Sequence, residues 1–214
     1  MKSSRNRFAT FFSYLFHPIF MPTIGITLTF LLGGIAGFNP YSTASDKNNA
    51  YFTIECVVLA TAILPFVVTV ILKKLKLISS LHMPLKEERT LPFLITGLLY
   101  YSMIHLFSQT WKIPLPILIY QFMIGATLAI IIGMIITYSW KISIHMIGIG
   151  GVVGILITLS KTGNNVLFFP IIISIFVSGI IGFSRLELKA HNPGQLIAGF
   201  ILGFACETLG LFIN

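Results

Sequence analysis

Residues 166–213 read "VLFFPIIISIFVSGIIGF", then "SRLELKAHNPGQ", then "LIAGFILGFACETLGLFI". Each apolar run is close to the roughly 20 residues a helix needs to cross the hydrocarbon of a bilayer. The joint between them, Ser184 to Gln195, gathers Arg185, Glu187, Lys189 and His191 in a chain whose charged residues are only 9% of the total. The flanking runs decide the fold class. The joint raises the question of function, because two packed spans do not need polar chemistry between them.

The whole chain follows the same pattern. Its 214 residues are 56% hydrophobic with a mean hydropathy of +0.93, whereas soluble domains carry about 25% charged residues. No water-soluble fold of this length hides so much apolar surface. The reading is an all-α polytopic transmembrane helix bundle, a single membrane domain over 1–214. The start, "MKSSRNRFATFFSYLFHPIFMPTIG", is basic but lacks a small-residue cleavage site, so it reads as a retained first span. Spans are expected near 11–37, 51–73, 91–109, 115–138, 143–160, 166–183 and 195–213. Pro18 and Pro22 fall inside the first, and proline kinks a helix. Residues 8–20 fit a place along the interface as well, so six or seven spans are expected.

Alternating loops place the N-terminus, 74–90, 139–142 and 184–194 on one face. That face holds eleven of the fourteen Lys and Arg, leaving Lys47, Lys112 and Lys161 for the other. The excess of positive charge marks the cytoplasmic side, so the expected setting is the cytoplasmic membrane of a bacterium. The net charge of +8 then reflects topology. No basic stripe interleaved with exposed aromatics marks a nucleic-acid surface. Cys56 and Cys206 sit in apolar runs and read as small core residues. The glycines of "GIGGVVG" (Gly148, Gly150, Gly151, Gly154) and "GFILG" (Gly199, Gly203) read as close helix contacts. Glu55 and Glu207 lie within apolar runs, where a carboxyl is a functional candidate, although a place near a span end would let it reach interfacial water.

Three joints on the crowded face carry the chemistry: "SLHMPLKEERTLPF", "SWKISIHMIG" and "SRLELKAHNPGQ". Together they supply Lys86, Arg89, Ser143, His145, Arg185 and His191. Arginine meets phosphate oxygens with a planar fork of donors and lysine adds a point charge. Histidine can attack phosphorus or hand a proton to a leaving oxygen.

The order and spacing of these residues resemble the type 2 phosphatidic acid phosphatase superfamily. Its third motif is Ser-Arg, five residues, His, three residues, Asp; the chain has Ser184-Arg185, "LELKA", His191, "NPG", Gln195. Its second, Pro-Ser-Gly-His, appears as "ISIH" with Ser143 and His145. Its first, Lys, six residues, Arg-Pro, appears as "KEERTLP" with Arg89, His82 at the lysine's register and Lys86 one turn before Arg89. The resemblance covers a core over 82–213.

The resemblance implies a lipid phosphate or diphosphate phosphatase that needs no metal or other cofactor. His191 would be the nucleophile, forming a phosphohistidine, and His145 would protonate the leaving alcohol. Lys86, Arg89, Arg185 and Ser143 would bind the phosphate oxygens. Gln195 stands where the family has an orienting Asp, so it accepts the imidazole proton without adding charge; in the serine-protease triad the analogous change costs about 10⁴ in rate. Glu187 is the nearest carboxylate that would substitute. The alternative is a non-catalytic descendant that binds lipid phosphate or joins a membrane assembly, with a second copy or another membrane protein as partner.

Overall fold

The computed structural model describes residues 2–33, 44–80, 83, 85, 87–110, 117–161 and 167–210. Among them there is no strand, and the α-helices are α1 (Lys2–Leu15), α2 (Met21–Gly33), α3 (Ala44–Val58), α4 (Leu64–Lys74), α5 (Thr90–His105), α6 (Ile117–Ser139), α7 (Ile144–Ser160), α8 (Phe168–Glu187) and α9 (Pro193–Gly210). A π-turn over Leu59–Ile63 joins α3 to α4, and another over Leu106–Thr110 extends α5.

Among the described residues, five helical runs are long and apolar enough to cross a membrane: Ser4–Leu32, Ala50–Lys74, Glu87–Thr110, Leu118–Ser139 and Phe168–Glu187. Their outward faces carry large apolar side chains. On α8, Phe168, Phe169 and Phe176 are 61%, 71% and 69% exposed, a pattern that suits lipid and not water. Several interior hydroxyls bond within their own helices, as suits an apolar setting, although those of Thr137, Ser143 and Thr158 have no partner. Thr29 donates to the Gly25 carbonyl (2.8 Å), Thr127 to Met123 (2.7 Å) and Ser178 to Ser174 (2.8 Å).

The first apolar run is longer than one crossing requires and is broken. His17 has an extended backbone (φ −62°, ψ 136°), and a 3₁₀ turn over Pro18–Phe20 leads into α2. The two prolines therefore stand at helix starts, where a missing N–H costs nothing, and do not kink a continuous span. α1 packs on α8: the Arg5 guanidinium pairs with Glu187 at 2.8 Å and lies 5.7 Å from the Phe183 ring.

α7 is the central helix, buried along most of its length and packed against α2, α8 and above all α9. The glycines account for that closeness. A Cβ on Gly203 would collide with the Ile147 carbonyl oxygen, one on Gly150 with that of Phe200, and one on Gly199 would stand 2.6 Å from that of Ser143. The two backbones are thus in near contact, and their starts are joined where the Ser143 N–H donates to the Gln195 carbonyl (3.3 Å). α7 and α9 run parallel and begin at one end of the bundle.

Gly203→Ala is expected to lower the unfolding midpoint in detergent, corresponding to about 1–3 kcal/mol of overpacking. Gly179→Ala, at an exposed position with nothing within 4 Å of the added carbon, is expected to leave it unchanged or raise it. Equal behaviour of the two variants would contradict this packing.

Candidate functional site

Helix ends converge on the candidate residues. α7 and α9 start there, α8 ends there with Arg185 in its last turn, and a 3₁₀ turn over Glu87–Arg89 opens α5. Helix starts leave backbone N–H groups without intrahelical partners and carry partial positive charge, which favours an anion.

The 184–195 joint is built by two local devices. α8 closes with a Schellman turn: the Ala190 N–H reaches the Arg185 carbonyl (3.0 Å) and the Lys189 N–H reaches Leu186 (2.9 Å). Lys189 takes the left-handed conformation (φ 51°) at the place where glycine is usual. α9 then opens with a reciprocal cap. The Gln195 N–H donates to Asn192 Oδ1 (2.9 Å), and the Asn192 N–H donates to Gln195 Oε1 (3.2 Å), with Pro193 in the first helical position. This Asn-x-x-Gln arrangement is a capping box, and it fixes Gln195 Oε1 beside His191.

The His191 ring takes up that oxygen. Its Nδ1 lies 3.1 Å from Gln195 Oε1 and 3.2 Å from the Lys141 carbonyl oxygen. Both partners accept, so the proton sits on Nδ1 and the lone pair on Nε2. Gln195 therefore orients the imidazole as an aspartate would, without the charge. Glu187 does not substitute for it, because its carboxylate is paired with Arg5. His191 is 9% exposed. Burial, then the charge of Arg185, hold its pKa down to about 4 against the opposing bond from Gln195, with Arg89 and Lys141 adding smaller effects.

Arg89, Arg185 and Lys141 are close enough to feel one another's charge. Arg89 is buried, with its Nε donating to the Met83 carbonyl (3.0 Å). Arg185 Nη1 donates to Ser13 Oγ (3.2 Å), while its Nε is buried with no hydrogen-bond partner. Burial and the two arginines hold the half-buried Lys141 amino group below the usual lysine range. The only ion pair among the described residues is Arg5–Glu187. Glu88 is near enough for Arg89 to feel it, but one of its oxygens accepts the Ser79 N–H at 2.6 Å. Ser143, at the N-cap of α7, is fully buried, and its Oγ has no partner. A phosphate would meet three cations, two unpartnered donors and two helix starts here.

His145 stands one residue into α7. Its Nε2 donates to the Ser13 carbonyl oxygen (3.1 Å), and its ring meets that of His17 edge-on at 5.6 Å. The structure thus brings together His191, His145, Arg185, Arg89, Ser143 and Gln195, while Lys86 and His82 lie outside the described residues. Three contributors escape the motif spacing: Lys141, Ser13 and His17. Only "HPIF", a histidine wedged before a proline in an apolar run, signals the last.

Beneath the cationic group lies a cavity of about 160 Å³, mostly apolar, with Arg89 and His17 in its lining together with Tyr100, Phe122 and Glu207. Glu207 does not reach interfacial water. It is 3% exposed, its Oε2 has no partner, and it fits against Gly125, Gly151 and Gly154. Glu55 is exposed. No three or more His, Cys, Asp or Glu among the described residues group as metal ligands. Comparison of the chain with protein-family models, curated proteins and solved structures finds no match.

Because His191 titrates near 4 when folded and near 6.5 when unfolded, the unfolded chain binds the extra proton between those values. Its contribution to stability is present above pH 6.5 and is lost as pH falls towards 4, by about 3 kcal/mol. Unfolding in detergent at pH 7.5 and 4.5 measures it, and His191→Gln is expected to remove that part of the pH dependence.

Proposed function

We propose that this chain is a membrane-embedded phosphatase acting on a phosphate or diphosphate carried by a lipid, through a phosphohistidine on His191. The observation that supports it most is the His191 ring itself: Nδ1–H is held by two oxygens, leaving Nε2 as the attacking atom, beside Arg89, Arg185 and Lys141. The cations and the α7 start stabilise the charge on the transferring phosphoryl group. Burial keeps the imidazole neutral, as a nucleophile must be.

The substrate fits the setting. A site at the end of an apolar bundle receives a headgroup, and the cavity beyond Arg89 receives the start of its chain. The reading takes seven crossings, adding α7 and α9 to four of the apolar runs and α2 as the crossing part of the first. α1 then lies along the headgroups, and the Lys- and Arg-rich end faces the cytoplasm. Within α7, 17 residues suffice because protein, not lipid, surrounds most of it.

One observation favours a non-catalytic lipid-phosphate binder instead: Gln195 Oε1 is neutral and is shared with the α9 cap. Phosphate release from phosphatidic acid, phosphatidylglycerol phosphate and polyprenyl mono- and diphosphates separates the two. Activity is expected to fall by about 10³-fold or more in His191→Ala and to rise about tenfold in Gln195→Asp. Its kcat/KM is expected to hold steady as pH falls through 6.5 and to decline only near 4, since kcat/KM reports the free enzyme. No release from any lipid by folded protein, with binding retained, would make it a binder.

A further inference from the structure

The site holds more positive charge than one phosphate neutralises. Arg89, Arg185 and Lys141 stand together, whereas a phosphate monoester carries about −1.5 to −2 at neutral pH. Its donors also outnumber three phosphate oxygens. Arg185 Nε and Ser143 Oγ have no partner at all, and the remaining guanidinium groups and the Lys141 ammonium add to them.

Arg89 differs from the other two cations in its surroundings. It belongs to the cluster and also lines the apolar cavity next to His17. A ligand running from the cavity to His191 therefore passes Arg89 with whatever group joins its chain to the reacting phosphorus. If that group were an ester oxygen alone, the buried guanidinium would face no anion of its own.

Leaving-group chemistry points the same way. A monophosphate expels an alkoxide, which must be given a proton as it leaves. The histidine in position to give one, His145, has its Nε2 on the Ser13 carbonyl and its ring against His17. A diphosphate expels a phosphate monoester, already stable as an anion near neutral pH. What that departure needs is counter-charge, and Arg89 supplies it.

We infer that the substrate is a lipid diphosphate, with Arg89 on the phosphate next to the chain and Arg185, Lys141 and Ser143 on the terminal one. The inference rests on the phosphatase reading above. His191 Nε2 forms a bond to the terminal phosphorus while the bridging P–O bond breaks, its electrons staying on the oxygen that leaves with the lipid monophosphate. Water then attacks the phosphohistidine, the N–P bond breaks back to the imidazole, and inorganic phosphate departs as the water's proton passes to solvent.

The test is phosphate release in detergent from farnesyl diphosphate and farnesyl monophosphate, which share one chain. The diphosphate is expected to be preferred in kcat/KM by about 10²-fold or more. Arg89→Gln is expected to lower the ratio about tenfold or more. Lys141→Gln removes a cation from the terminal phosphate that both lipids share, so it is expected to lower both rates by a similar factor and leave the ratio in place. Equal rates on the two lipids, or Arg89→Gln lowering both rates by one factor, would overturn the inference while leaving a phosphatase in place. No release from either lipid, with His191→Ala no different, would remove the phosphatase reading and this inference with it.

Discussion

Like charges held together in a partly buried place repel, and that constraint organises one end of this bundle. Arg89, Arg185 and Lys141 feel one another, and desolvation weighs on each. The surrounding structure offsets this largely with dipoles, to which Glu88 beside Arg89 adds an acid. Arg89 donates to the Met83 carbonyl, Arg185 to the Ser13 hydroxyl, and Arg185 stands in the last turn of α8, where the helix dipole favours a cation. Such compensation holds the cations in place without neutralising them. In the function proposed above an anion completes the arrangement, and the helix starts that adjoin it favour the same sign.

The α7–α9 contact is what lets those starts adjoin. Glycine on both helices brings the backbones close enough for Ser143 to bond to Gln195 across the pair. Oligoglycine spacing and the position of the polar joint are thus two parts of one design: close packing sets the relative height of α7 and α9, and that height puts His145 and His191 at one level. The cavity below inherits the same geometry, because the glycines that admit α9 also leave room for Glu207 among them.

Much of this was legible in the sequence. Apolar runs separated by short polar joints are a strong signal of helix and setting, and all seven runs contain helix in the structure. The spacing Arg185…His191…Gln195 pointed to residues that do meet, while the Ser184 hydroxyl turns back to the Ile180 carbonyl. What periodicity and spacing do not carry is which distant segments close over a site. Ser13 and His17 enter through a break in the first run, and Lys141 enters because its backbone carbonyl is a partner of His191. Glu187 looked like a spare carboxylate by proximity along the chain, yet it faces Arg5 on α1. The role of Gln195 was readable in principle, since Asn-x-x-Gln ahead of an apolar run is a helix-start pattern. It takes the folded joint to see that one oxygen serves both the cap and the imidazole.

The contacts of Ser13 also bear on how the protein matures. Its carbonyl holds His145 and its hydroxyl holds Arg185, partners 132 and 172 residues further along the chain. α1 precedes both partners in the chain, so these contacts close only once α7 and α8 are in place. The Asn192–Gln195 cap is local to the start of α9, whereas the Lys141 carbonyl reaches His191 only when that start lies beside α7. The His191 ring is therefore held by one oxygen before the helices pair and by two afterwards.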